Sequence, residues 1–218
     1  MPIGAPTIGN MFQTNPQMVT LSTEIRLFLS RIGSLRSVLP HLALLFVFGF
    51  MVPNIKGVDF LDSQILGAYA CLGIIFAAPA TAQAFPAGAG TSFPQARARI
   101  FVSVAYGEIV SITLLAAGIA TVYLTNRGRY VPQPDWETLA RCAIFGLGAS
   151  AVLASLAALL TVRFSRSAAI IFLRVAFFGL LVLYFYRGQW LADVGLVGAG
   201  ACLAVAGSLI ALLKKACG

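Results

Sequence analysis

Six stretches of the chain are apolar for long enough to cross a bilayer, and a seventh, nearer the start, is apolar on one side only. The long runs lie at about 37–54, 65–85, 100–124, 138–162, 167–186 and 190–213. Each is near the ~20 residues a helix needs to cross a ~30 Å hydrocarbon core. Ahead of them, Leu21, Ile25, Phe28, Leu29, Ile32 and Leu35 recur at helical spacing and share one face. Arg26, Ser30, Gly33 and Ser34 fall elsewhere, and Glu24 sits near the start, where the helix dipole favours an acid. That segment is too polar to span. It predicts an interfacial amphipathic helix over 21–36, lying on the cytoplasmic surface.

Residues 1–20 are rich in Pro, Asn, Gln and Thr and hold neither a basic residue nor a long apolar run. They predict an extended N-terminal arm and lack both parts of a secretory signal. The expected fold is therefore all-α: a polytopic membrane protein with an arm at 1–20, the interfacial helix at 21–36 and a six-helix transmembrane domain over 37–218. The connections are short and leave no room for a soluble domain.

Composition agrees. Of 218 residues, 59% are hydrophobic and 10% charged, against about a quarter charged in a soluble domain. The net charge of +8 points to topology rather than to nucleic acid, because the basic residues flank the apolar runs. With both termini inside, the cytoplasmic flanks hold Arg26, Arg31, Arg36, Arg97, Arg99, Arg163, Arg166, Lys214 and Lys215. The outer flanks hold only Lys56, Arg127, Arg129, Arg141 and Arg187, and most of the acids. Trp136, Trp190 and four tyrosines fall near the outer interface, where amphipathic rings prefer to sit. Both termini are thus expected to be cytoplasmic, with the lipid bilayer as the first partner and a bacterial inner membrane as the expected location.

Candidate chemistry is sparse. Cys71, Cys142, Cys202 and Cys217 form no close pair, so neither a disulfide framework nor a zinc site is expected. The single histidine, His41, could serve as an axial ligand, or simply hydrogen-bond at a helix end. No P-loop, triad or metal pattern appears, so no catalytic residue and no metal site are assigned, and the chain is not expected to be an enzyme. Glu108 and Arg174 interrupt apolar spans at matching depth and form a candidate intramembrane charge pair. Small-residue stripes, Gly195-Ala199-Gly200-Ala204-Gly207 and Gly146-Ala149-Ala151-Ala154, predict close helix packing.

Three segments carry a resemblance. Leu21–Leu35 looks like an elbow helix. Ser92-Phe93-Pro94-Gln95-Ala96-Arg97-Ala98-Arg99-Ile100 runs as a proline-then-basic entry into the third span, and Arg163-Phe164-Ser165-Arg166-Ser167-Ala168-Ala169 forms a short basic turn. Their order resembles the membrane subunit of an ABC-2 type transporter. Two features differ from that family: 84–91 has no acidic residue before the proline, and only Arg187-Gly188-Gln189 separates the last two spans. The resemblance implies a homodimeric permease that moves a lipid-like or amphipathic solute with a separate ATPase subunit, docked at Phe93, Pro94, Arg97 and Arg99. A second reading is a non-catalytic scaffold among other membrane subunits of a respiratory or photosynthetic complex. Only that reading would bring in a pigment or haem; otherwise no cofactor is expected.

Overall fold

A computed structural model describes the backbone of residues 16–32, 35–84, 92–164 and 166–217, with side chains at most positions as far as Phe164 and from Leu196 onward. Every regular element among them is helical. The α-helices are α1 (Pro16–Ile32), α2 (Leu35–Leu44), α3 (Val52–Lys56), α4 (Ser63–Ala70), α5 (Gly73–Ala84), α6 (Phe93–Thr125), α7 (Trp136–Arg163) and α8 (Arg166–Cys217). Five segments of the described residues are long and apolar enough to cross a membrane: Leu39–Leu61, Ser63–Ala84, Phe93–Thr125, Trp136–Arg163 and Leu196–Cys217. The expected run at 167–186 lies largely outside the described side chains.

The first of these segments is irregular. Between α2 and α3 the backbone widens into π-helical turns over Leu45–Met51, and Gly57–Leu61 tightens into a 3₁₀ turn. Carbonyls loosened from an intrahelical ladder need partners at membrane depth. Two receive them from neighbouring helices: the Tyr69 hydroxyl donates to the Phe48 carbonyl and Thr121 Oγ1 to the Gly49 carbonyl, each at 2.8 Å.

The second is broken in its middle. α4 ends at Ala70 and α5 begins at Gly73. Between them the ladder shortens to three-residue steps, from Leu72 N–H to the Tyr69 carbonyl (3.1 Å), Ile74 to Cys71 (3.2 Å) and Ile75 to Leu72 (2.9 Å). Mid-helix tightening of this kind marks strain or a hinge. Pro79, within α5, has no N–H to return the chain to a full ladder.

Cross-contacts fix the direction of each helix. Along α6, Gly107 meets Gly73 and Ala77, Ser111 bonds the Tyr69 carbonyl, and Gly118 meets Phe60, so α6 runs antiparallel to α4 and α5. His41 pairs with Tyr106 and Gly49 with Thr121, so the first span runs with α6. Gly146 abuts Ala70 and Cys71, and Glu108 bonds Ser150, placing α7 parallel to α5 and antiparallel to α6. Gly148 meets Ala199 and Cys202, while Leu213 shares a buried cluster with Ala154 and Ala158. The last part of α8 therefore runs parallel to α7.

That direction bears on the expected break at Arg187-Gly188-Gln189. The backbone is helical through it, within an element of 52 residues. No proline interrupts the stretch, and Gly188 alone costs a helix only about 1 kcal/mol. A straight helix over the 47 residues from Arg166 to Leu213 would nevertheless run ~70 Å at ~1.5 Å per residue. Leu213 instead lies in one cluster with Ala158, close to the end of α7.

At the N-terminal end, α1 begins at Pro16, five residues ahead of the expected start at Leu21, and takes in the end of the expected arm. Proline is tolerated in a first helical turn, where its missing N–H has no partner to lose. Residues 1–15 lie outside the described residues. α1 packs alongside the start of α6: the Phe28 ring meets Tyr106 edge-on at 5.2 Å, and Glu24 meets Arg99. Ile25 is exposed; Ile32 lies outside the described side chains. The caps are local. Asp62 accepts from Gln64 N–H at 2.8 Å, Gln95 reaches back to Ser92 N–H at 3.3 Å, and Asp135 accepts from Thr138 N–H at 3.1 Å.

Small residues admit close packing at some positions. A β-carbon at Gly118 would stand 2.4 Å from the Phe60 ring, so glycine there admits the fully buried phenylalanine. The stripe of the last helix divides. Ala199 is buried against α7, whereas Gly200, Ala204 and Gly207 are exposed.

Candidate functional site

Three helix midpoints converge on one carboxyl group. Glu108 lies 15 residues from Phe93 and 17 from Thr125 in α6, and Ser150 lies 14 from Trp136 and 13 from Arg163 in α7. Gly73, at the break between α4 and α5, is 10 residues from Ser63 and 11 from Ala84. All three therefore sit near the middle of their spans. Ser150 Oγ, fully buried, donates to Glu108 Oε1 at 2.9 Å.

Backbones come very close here. A β-carbon at Gly73 would lie 2.4 Å from Glu108 Oε1, one at Gly107 2.5 Å from the Gly73 carbonyl oxygen, and one at Gly146 2.8 Å from the Ala70 carbonyl oxygen. Ser111 Oγ donates to the Tyr69 carbonyl at 2.5 Å, and the Cys71 thiol donates to the Cys142 carbonyl at 3.6 Å. A carboxylate can accept about four hydrogen bonds. Glu108 has one described hydroxyl donor, and no described cation lies within ion-pair distance. A bare charge at mid-membrane costs about 2.5–3.5 kcal/mol on an insertion scale, so this position is not a neutral choice for the sequence.

The expected partner, Arg174, lies in α8 with its side chain outside the described residues, and its pairing with Glu108 lies outside them too. Ser150, Gly73 and the break at Cys71-Leu72 are missed by sequence reasoning. Ser150 does lie within the Gly146–Ala154 stripe, and a polar residue inside a small-residue stripe is the signal that could have found it.

The other sequence candidates gather at the cytoplasmic end, as that end was assigned from charge. Arg99 turns inward and forms a two-pronged pair with Glu24, from Nε to Oε2 and from an Nη to Oε1, both at 3.1 Å. Their side chains are only 14% and 11% exposed. Arg97 stays exposed, its guanidinium 5.9 Å from the Phe93 ring centre, and Pro94 is exposed beside it. Of the four docking candidates, Arg99 is thus committed to α1. His41 Nε2 hydrogen-bonds the Tyr106 hydroxyl of α6. A narrow cleft with room for about one water opens beside Glu24, Phe28 and Arg99. Among the described residues, no three histidine, cysteine or acidic side chains converge as metal ligands would.

What fold and site define is a helical protein with membrane-spanning character and a carboxyl group at the centre of its bundle. Compared with models of known families, with curated proteins and with solved structures, the chain matches none.

Proposed function

We propose that the chain is the membrane subunit of an ABC-2 type transporter, moving a lipid-like or amphipathic solute as a homodimer with a separate ATPase. The observation that carries this reading is at the cytoplasmic end of α6. Glu24–Arg99 clamps a short amphipathic helix to the base of that span, and Phe93, Pro94 and Arg97 remain at the same end for a partner. A short elbow helix and a proline-then-basic entry to the third span are what the resemblance implies. The outward small residues Gly200, Ala204 and Gly207 support a second copy at the last helix.

The reading includes six spans with both termini cytoplasmic and α1 at the cytoplasmic interface. Support for the sixth span comes from chain direction. α7 ends at one side of the bundle, and Leu196–Cys217 sets out from the other, parallel to α7. The intervening residues, Arg166 to Gly195, number 30, enough to cross a ~30 Å core. Cysteine labelling checks the topology: a cysteine at Thr91 reacts from inside only and one at Arg127 from outside only.

Purification in mild detergent tests the function. A stoichiometric ATPase is expected, and Arg97→Glu should uncouple its ATP hydrolysis from transport while leaving the bundle folded. A pigment or redox complex in its place overturns the transporter and installs the scaffold subunit.

A further inference from the structure

We propose that Glu108 is a proton-binding site at the centre of the bundle, and that release of its proton opens the junction between α5, α6 and α7. The ligand class follows from the site's donors and its depth. Glu108 is half-buried near the middle of α6. The described residues give it one hydroxyl donor and no cation, and one of its oxygens stands where a β-carbon at Gly73 would clash at 2.4 Å. A proton removes the charge that the apolar interior resists.

Among the described residues no base accompanies Glu108. The Ser150 hydroxyl of α7 donates to it, the Gly73 backbone at the α4–α5 break lies against it, and Cys71 and Ser111 lie beside that break. Arg174, in α8, has its side chain outside the described residues, so the experiment addresses it directly.

The break supplies the moving part. An ionised carboxylate needs more donors than Ser150, and water is their source at this depth. Admitting water means separating α5 from α6, and the helix gives most easily at Cys71-Leu72, where its ladder is already irregular.

Infrared spectroscopy of the purified full chain tests the proposal, independently of any ATPase. At neutral pH the wild type should show the carbonyl stretch of one protonated carboxylic acid, unchanged in Arg174→Gln, absent in Glu108→Gln, and lost from the wild type as pH rises. A wild type without this band overturns the proposal; if the band then appears in Arg174→Gln, the group was an ion pair. The opening has its own readout, maleimide reactivity in a variant keeping Cys71 as its sole cysteine. Reactivity should rise with pH more steeply with Glu108 than with Glu108→Gln. Equal slopes overturn the opening.

Discussion

Glu24 and Glu108 are the same residue in two regions of one bundle, and the fold treats them oppositely. At the N-terminal end of α6 Glu24 receives a guanidinium fork, two nitrogens on two oxygens at 3.1 Å. Near the middle of the same helix Glu108 receives, among the described residues, one hydroxyl and the close approach of the Gly73 backbone. The first arrangement fixes a charge and joins two helices through it. The second leaves a half-buried carboxyl with one described hydroxyl donor, and under the proposal above local packing depends on its proton.

The comparison can be broken first at its strong end. Glu24→Gln leaves the inward guanidinium of Arg99 without its counter-charge, and removing one partner of a buried pair costs about 3–5 kcal/mol. The residual exposure of both side chains puts the expected loss at the lower end, about 3 kcal/mol. It should show as a lower midpoint of thermal unfolding in detergent and as protease cleavage within α1. Glu24→Gln combined with Arg99→Gln should lose less than the two single changes added together, because the cycle removes the stranded charge.

Next comes the packing around Glu108. Gly107→Ala places a methyl against the Gly73 carbonyl and the Ala77 nitrogen, at 2.5 and 3.0 Å, and backbone cannot swing aside as a side-chain end can. An overpacking cost of about 1–3 kcal/mol is expected. The three atoms nearest a Gly73→Ala methyl all belong to the Glu108 carboxyl, the end of a side chain, so it should cost less in the same unfolding assay. Equal losses would mean that the carboxyl is held as rigidly as backbone.

Smaller still is Glu108→Gln. The amide has the size of the protonated acid and keeps an oxygen for the Ser150 hydroxyl, so stability at neutral pH should change by less than about 1 kcal/mol. A loss as large as that of Glu24→Gln would erase the distinction between the two regions and point to an ion pair at Glu108.

The smallest effect lies outside the membrane. Asp135 caps α7 from a fully exposed position. Hydrogen bonds from the Thr138 side chain and then from its backbone hold the Asp135 carboxyl below the ordinary 3.8. A lowered folded-state value means that this cap contributes above the unfolded value and is lost as pH falls through the folded one. Unfolding midpoints followed from pH 5 downward should show a small decline that Asp135→Asn reduces.

Much of this was legible in the chain. Long apolar runs bounded by Arg97-Ala98-Arg99 or Trp136-Glu137 read as helices long enough to cross lipid, where a chain segment must satisfy its own backbone. A helix ahead of the first span and a carboxyl within the third were also legible, the one from its apolar stripe and the other from its cost. The ends were less so. Pro16 opens α1 ahead of the stripe, since a first helical turn makes no demand on hydrophobic pattern. The expected loop at Arg187-Gly188-Gln189 is helical, since none of the three residues forbids a helix.

Tertiary structure decided the partners. Arg99 reads as a surface charge beside Arg97 until α1 brings Glu24 against it, 75 residues away. Ser150 reads as packing until α7 turns it toward Glu108, 42 residues away. The break at Cys71-Leu72 has no proline to announce it. Sequence determines which segments must leave water, because that is a sum over neighbouring residues. It cannot determine which polar atom meets which across the bundle, because that depends on helix rotation and register, and both are set by glycine contacts between distant parts of the chain.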